Sequence, residues 1–487
     1  MAHAGKWAGR KIDTSPPADD AQPTTAGLPR APQTGVPTPA DPESAPRIRL
    51  SSRDLSRLIV RGGAWSLLIS ATGAALSLGV HLLLARTLGG EEYGRYVFAL
   101  AWMNVLLLVG KFELDTASVR FVGAYTGTEQ WSFLRGFLQR SAQIVGGVSI
   151  AIAVVGALII MVLTNRIERG IALSLLAASA LLPVTAMGQL KASVLQGFKQ
   201  VARAQAPSLV VRPVVFALSV LGLHYVAGQP VNAPVAIVLQ LGATAVALAL
   251  TLRFLQDVLP TAVRQANEAF DTRYWMKTAA GLLVISGGQT ILSTNADVLV
   301  VGSLLGPGAA GQYGAASQLA SAVSFGVTAI SFIALPLIAD LYARQEFPQL
   351  QSLISHVTRL GLGLSFPVLL LLIIGASPVL SAFGPSFTDA SGLLILLGVD
   401  QLIGAIFGIA GYLLVMTGHQ VTAARVIIGC ALLNLVLTFA LTPLFGLMGA
   451  GIATTIATLA RSYLLTARMK AALGLTLSPW QRHRTPD

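Results

Sequence analysis

Four basic side chains stand inside apolar stretches of this 487-residue chain: Lys111, Arg120, Lys191 and Arg212. A charge at membrane depth is costly unless it faces a protein interior or a wet cavity. Arginine offers a phosphate two parallel hydrogen bonds, and lysine offers a point charge. The same residues can also serve as anchors that snorkel to lipid head groups. Lys191 and Arg212, each about one turn inside a helix end, read either way; Lys111 and Arg120 read as deeper. Two acids are isolated in similar surroundings, Asp297 and Asp400. Each suits a proton or sodium site, or a structural acid bonded to Thr294, Asn295, Gln401 or another helix. His81 and Arg86 belong either to the wall of the same cavity or to ordinary packing and anchoring.

The elements that hold these residues are membrane helices. Hydrophobic residues make up 54% of the chain and charged residues only 11%, against roughly 25% charged in soluble proteins. Twelve stretches are long enough to cross about 30 Å of hydrocarbon: 62–88, 94–121, 137–163, 170–195, 207–226, 234–254, 278–304, 312–338, 355–376, 390–416, 424–442 and 447–467. With the amino terminus inside, only Arg86, Arg95, Arg166 and Arg169 of the 33 lysines and arginines fall on the outer side, the expected positive-inside asymmetry. Both termini are then cytoplasmic. Pro183, Pro213, Pro336 and Pro367 fall inside spans, where kinks are the expectation.

The second half repeats the first. Gly89, Gly94, Tyr96 and Tyr125 recur 217 positions later as Gly306, Gly311, Tyr313 and Tyr342. Leu195-Gln196-Gly197 similarly precedes a later Met416-Thr417-Gly418 in nearly the same register. The reading is an all-α membrane protein of two parallel-repeat six-helix lobes, residues 55–254 and 278–470, joined by a cytoplasmic linker at 255–277. Residues 1–54 contain nine of the 24 prolines and read as a disordered tail; residues 471–487 form a second cytoplasmic tail. Mapping Lys111, Glu113 and Asp115 forward gives Thr328, Ile330 and Phe332, so span 2 is expected to run as helix through this cluster to about Arg120.

Other chemistries are disfavoured. The net charge of +12 is spent on the membrane faces, so nucleic acid is not the expected partner. No two histidines have metal-ligand spacing, and Cys430 is the single cysteine. There is no GxxxxGK[ST] motif, no DxD acid pair and no sizeable soluble domain. The chain does not read as an enzyme and carries no cofactor; H⁺ or Na⁺ coupling through Asp297 or Asp400 is the expectation.

The Gly89/Tyr93-Gly94/Tyr96 turn, the Glu113-to-Tyr125 stretch ending Ala117-Ser118-Val119-Arg120-Phe121-Val122-Gly123-Ala124-Tyr125, and Asp297 before Leu304-Leu305-Gly306 resemble the polysaccharide-biosynthesis (Wzx-type) oligosaccharide flippases. These belong to the multidrug/oligosaccharidyl-lipid/polysaccharide exporter superfamily, and the resemblance covers about residues 55–470. It implies a V-shaped pair of lobes in a bacterial inner membrane and export of an undecaprenyl-pyrophosphate-linked oligosaccharide by alternating access, for surface polysaccharide such as O-antigen or exopolysaccharide. It also implies a monomer among membrane lipids, with a polysaccharide polymerase and glycosyltransferases as partners. A multidrug or cationic-metabolite antiporter on the same scaffold is the alternative. A peptidoglycan-precursor flippase would want two further spans.

Overall fold

The computed structural model describes residues 52–291 and 294–475, with side chains from Leu68 onward except at scattered positions. Helices are α1 Ser52–Lys111, α2 Leu114–Gly127, α3 Trp131–Leu163, α4 Arg169–Gly197, α5 Val201–Ala206, α6 Arg212–Leu221, α7 Ala233–Val258 and α8 Thr261–Gln265 in the first half. The second half has α9 Thr272–Ile291, α10 Thr294–Leu305, α11 Pro307–Ala320, α12 Ala322–Ala343, α13 Phe347–Ser381, α14 Ser391–Phe407, α15 Ile409–Met416 and α16 Gln420–Leu473. The protein is all-α and multi-pass. Among the described residues, eight helical segments are long and apolar enough to cross a membrane. The expected tail at 1–54 lies outside the described residues except for its last three, as does the end of the tail at 471–487.

Two of the eight segments fold back on themselves. Gly89, at φ 78 and ψ 171, reverses α1. His81 and Tyr93 would be about 18 Å apart along a straight helix, yet the Tyr93 hydroxyl lies 2.9 Å from His81 Nδ1. Gly446, at φ 60 and ψ −140, does the same in α16 and brings Gly449 against the Leu441 carbonyl. Only glycine holds such backbone angles without strain.

The repeat is visible in the turns. Gly306 adopts φ 93 and ψ 173, close to the angles of Gly89. After α2, Glu129 is left-handed, and Gln130 and Trp131 bond back to Tyr125 and Glu129; after α12, Gln345, Glu346 and Phe347 do the same to Leu341 and Gln345. The αL residues Lys199 and Gly418 close α4 and α15 alike, with Gln200 donating to Leu195 and His419 to Leu414.

The halves meet near the Gly89 and Gly306 turns. A Cβ on Gly94 would overlap the Pro307 carbonyl, and one on Gly311 would lie 2.9 Å from the Gly94 Cα. The duplicated glycines therefore pack on each other, which only residues without side chains permit. Gly302 receives Phe98 and Gly314 receives Val97. Further along, Asn104 donates to Asn295 at 3.1 Å. Phe387 of the second half sits edge-on to Tyr93, with centroids 5.6 Å apart, and Arg86 donates to the Ala382 carbonyl at 2.6 Å.

Two expectations need correction. Span 2 is not helical through the charged cluster: α1 stops at Lys111, and Phe112 and Glu113 are left-handed at φ 50 and 55 before α2 begins. Non-glycine residues there cost roughly 1–2 kcal/mol each, and the bonds of the cluster itself offset this. The counterparts Thr328, Ile330 and Phe332 lie within α12, whose helix is unbroken. Span 5 starts at Val201 rather than 207, because the helix runs on through Pro207 by widening into a π-turn at Pro207–Val211. Arg212 is therefore about 16 Å from that helix end at 1.5 Å per residue, not one turn from it.

Candidate functional site

Arg212 follows the π-turn directly, its amide bonded to the Pro207 carbonyl five residues back. Pro213 has no N–H for the Leu209 carbonyl, and that carbonyl turns toward Gly73 on the first arm of α1, where a Cβ would lie 3.1 Å from it. Glycine thus lets α1 approach the widened turn. The result is a cavity of about 150 Å³ whose polar lining is Ser77, His81, Tyr96, Ser208, Arg212 and Gln240. The Tyr96 hydroxyl donates to Gln240 Oε1 at 2.7 Å. Ser77, at the edge of this cavity, is reached by Gln318 Nε2 from the second half at 3.4 Å. Among the described residues, Arg212 has no ion-pair partner.

The other three basic residues stand differently. Lys111 is held by Asp115 at 2.7 Å and Glu113 at 3.4 Å, and Thr116 donates to Glu113 at 2.6 Å. Both acids are buried and both lie within ion-pair distance of the lysine. Lys191 is half-buried in α4, and it forms no ion pair among the described residues. Arg120 is exposed on α2, because the left-handed step at Phe112–Glu113 turns this helix away from the line of α1.

The second half has its own polar nest. Asp297 is buried at 2% exposure and accepts from Tyr313 at 3.0 Å, Thr454 at 3.1 Å, Asn434 at 2.9 Å and Thr438 at 3.5 Å. Its described partners come from α11 and α16, and Asn295 accepts from Asn104. Asp400 is buried in α14 within electrostatic reach of Asp297, facing Thr458 and Arg461. The side-chain oxygens Asp400 Oδ1 and Asn434 Oδ1 are buried and accept no hydrogen bond from the described residues. Asp297 and Asp400 are thus brought together, whereas the four cations are distributed over α1, α2, α4 and α6.

Sequence reasoning did not single out Gln240, Tyr96, Tyr313, Asn434, Thr454 or Arg461 as site residues. Tyr96 and Tyr313 carried a usable signal, since each is a repeat position that ends in its own half's nest. Arg461 was counted as a cytoplasmic charge but lies against Gly404 on α14. Of the outer basic residues, Arg95 is engaged by Glu91, Glu92 and Glu168, which explains its departure from the positive-inside pattern.

Comparison with known proteins follows this geometry. The family described as polysaccharide biosynthesis protein matches residues 59–342. The chain is 26% identical over 161 residues to a probable low-salt glycan biosynthesis flippase, Agl15, of Haloferax volcanii. That match spans 33% of this chain and 34% of the relative, about a third of each. In fold, the chain resembles an inward-facing multidrug resistance MATE family transporter of the MOP superfamily, with TM-score 0.66, 13% identity, and coverage of 84% of this chain and 98% of the other. It also resembles the lipid II flippase MurJ in an inward closed conformation, with TM-score 0.64, 14% identity, and coverage of 83% and 87%.

Proposed function

The chain belongs to the polysaccharide biosynthesis protein family, and on that premise we propose that it is a flippase for a lipid-linked oligosaccharide whose head group is anionic. Twelve crossings are the architecture that fits this reading, six in each of two lobes at 55–254 and 278–470, with 255–277 as linker. The hairpins at Gly89 and Gly446 each supply two of the crossings. The distribution of basic residues supports both termini in the cytoplasm, with the Gly89 and Gly306 turns outside. In this reading the seam through Gly94, Gly311 and Phe387 is an outer closure, and cargo made on the cytoplasmic face enters from the inner side.

The observation that carries the reading is that Lys191 and Arg212 are set inside spans and neither forms an ion pair among the described residues. An uncompensated cation in low dielectric draws an anion; a pyrophosphate on a prenyl carrier supplies one while its tail stays in lipid. Arg120, exposed on α2, meets the head group first, Lys111 is released to it from Asp115 and Glu113, and Lys191 and Arg212 hold it. Outward movement of one negative charge across an inside-negative membrane gains about 2.3 kcal/mol per 100 mV. Asp297 and Asp400 couple the return step by taking H⁺ or Na⁺, for which the two buried oxygens without donors among the described residues are suited ligands. A polymerase and glycosyltransferases would stand at either end of this step.

Vesicles containing the purified protein test this directly. The expected result is that a fluorescent prenyl-diphosphate oligosaccharide becomes accessible from the opposite leaflet faster than in protein-free vesicles, and that Lys191→Gln/Arg212→Gln removes the gain. The acidic nest favours the second reading, a cation-coupled multidrug or metabolite antiporter. Movement of a cationic amphiphile with none of the glycan lipid would replace the first reading with that one.

A further inference from the structure

We propose that the cavity in front of the π-turn at Pro207–Val211 is a phosphate subsite of the first half, with Arg212 as its cation and His81, Ser77, Ser208 and Gln240 as its neutral partners. The inference rests on the anionic-cargo reading above and says which atoms meet the phosphate.

Three observations converge on it. The cavity measures about 150 Å³, room for a phosphate group. The one Arg or Lys of its lining, Arg212, has no acid beside it in that lining and no ion pair among the described residues. The backbone beneath it is π-helical, a rare conformation that concentrates at functional sites, and Ser208 within the turn and Arg212 directly after it both line the cavity.

Three of the neutral groups are oriented as donors. The Tyr93 hydroxyl sits 2.9 Å from His81 Nδ1. When Tyr93 donates there, the neutral imidazole carries its proton on Nε2 and can give it to a phosphate oxygen. Gln240 accepts from Tyr96 through Oε1, which leaves its amide N–H₂ as donor. Ser77 accepts from Gln318, which leaves its hydroxyl proton. Ser208 donates to the Gln205 carbonyl at 3.1 Å and lines the recess without a free proton. A guanidinium fork with one hydroxyl, an imidazole N–H and an amide makes a donor-rich recess for an oxyanion.

The site also touches the closure between the halves. His81 reaches Tyr93, and Tyr93 seats Phe387 of the second half. A phosphate that pulls on His81 therefore acts on a residue of the outer seam.

The test uses purified full-length protein in zwitterionic nanodiscs, with binding followed by phosphorus NMR or calorimetry. The probes are a short-chain prenyl diphosphate, inorganic pyrophosphate, and nanodiscs doped with phosphatidylglycerol. Arg212→Gln is expected to weaken prenyl diphosphate at least ~30-fold, Arg212→Lys about 10-fold, and His81→Ala about 3- to 10-fold. Arg425→Gln, an exposed change in the second half, is the control and stays within about twofold. Displacement by inorganic pyrophosphate identifies the phosphate itself as the ligand; displacement by phosphatidylglycerol identifies membrane lipid as its source; both support the subsite if they depend on Arg212. Arg212→Gln and Arg212→Lys that keep the wild-type melting temperature and bind every probe within about twofold of wild type overturn it. If that happens while wild-type protein still flips the glycan lipid, the subsite alone fails. If wild type flips nothing but binds phosphate through Arg212, the transport reading fails and the subsite stands.

Discussion

Each half of the molecule places a tyrosine from the same repeat position into a polar nest, and the two nests have opposite sign. Tyr96 bonds Gln240 beside Arg212; Tyr313, 217 positions on, bonds Asp297 beside Asn434 and Thr454. The scaffold is duplicated while the chemistry has diverged. In the first half, a helix widened at Pro207–Val211 holds a cation with no ion-pair partner among the described residues. In the second, a carboxylate is held by four donors from α11 and α16. One nest suits an anionic cargo and the other a small cation, and a shared seam through Gly94 and Gly311 gives the two a common moving part.

Reversing the sign of the first nest is the most severe way to break this comparison. Arg212→Glu is expected to lower glycan-lipid transport more than ~100-fold, since it adds phosphate repulsion to the loss of two charge-assisted bonds worth roughly 1.5–3 kcal/mol each; export of surface polymer or flipping in vesicles reads it. Asp297→Asn keeps the shape and one acceptor, so about a tenfold loss is expected, together with loss of the response to an imposed pH or Na⁺ gradient. The two tyrosines sharpen the contrast further. Tyr313→Phe removes a hydrogen bond to a carboxylate, and Tyr96→Phe one to a neutral amide; bonds to charged groups are worth roughly twice as much. Thermal unfolding in detergent should therefore fall further for Tyr313→Phe, and equal losses would mean that Asp297 carries no charge there. Arg120→Ala is expected to have the smallest effect, under about threefold in transport, because the side chain is exposed; abolished transport would place Arg120 in the binding site itself.

The helical class and the duplication were legible because apolar runs and the glycine and tyrosine spacing are properties of the chain alone. Gly89 and Gly306 share one backbone conformation because both reverse a helix where no Cβ is tolerated. The cluster at Lys111–Asp115 misled because the repeat was projected onto it. Its partner in the second half is apolar and stays helical, whereas here a lysine and two acids stabilise a left-handed step that no periodicity reveals. Arg212 was placed too shallow for a related reason: Pro207 reads as a helix start, and a π-turn that carries a helix past it leaves no trace in hydropathy. Asp297 stood out because an isolated acid in an apolar run is rare. Its partners did not, since Thr454 joins Asn434 and Thr438 only when α16 folds back near Gly446.

The division of labour between the nests is tested most directly by measuring gradient-dependent flipping of a prenyl-diphosphate oligosaccharide in vesicles for wild type, Arg212→Gln and Asp297→Asn side by side. The account predicts that Arg212→Gln stops flipping with or without a gradient, while Asp297→Asn still flips slowly and ignores the gradient. A wild-type gradient response in Asp297→Asn, or wild-type flipping in Arg212→Gln, would contradict it.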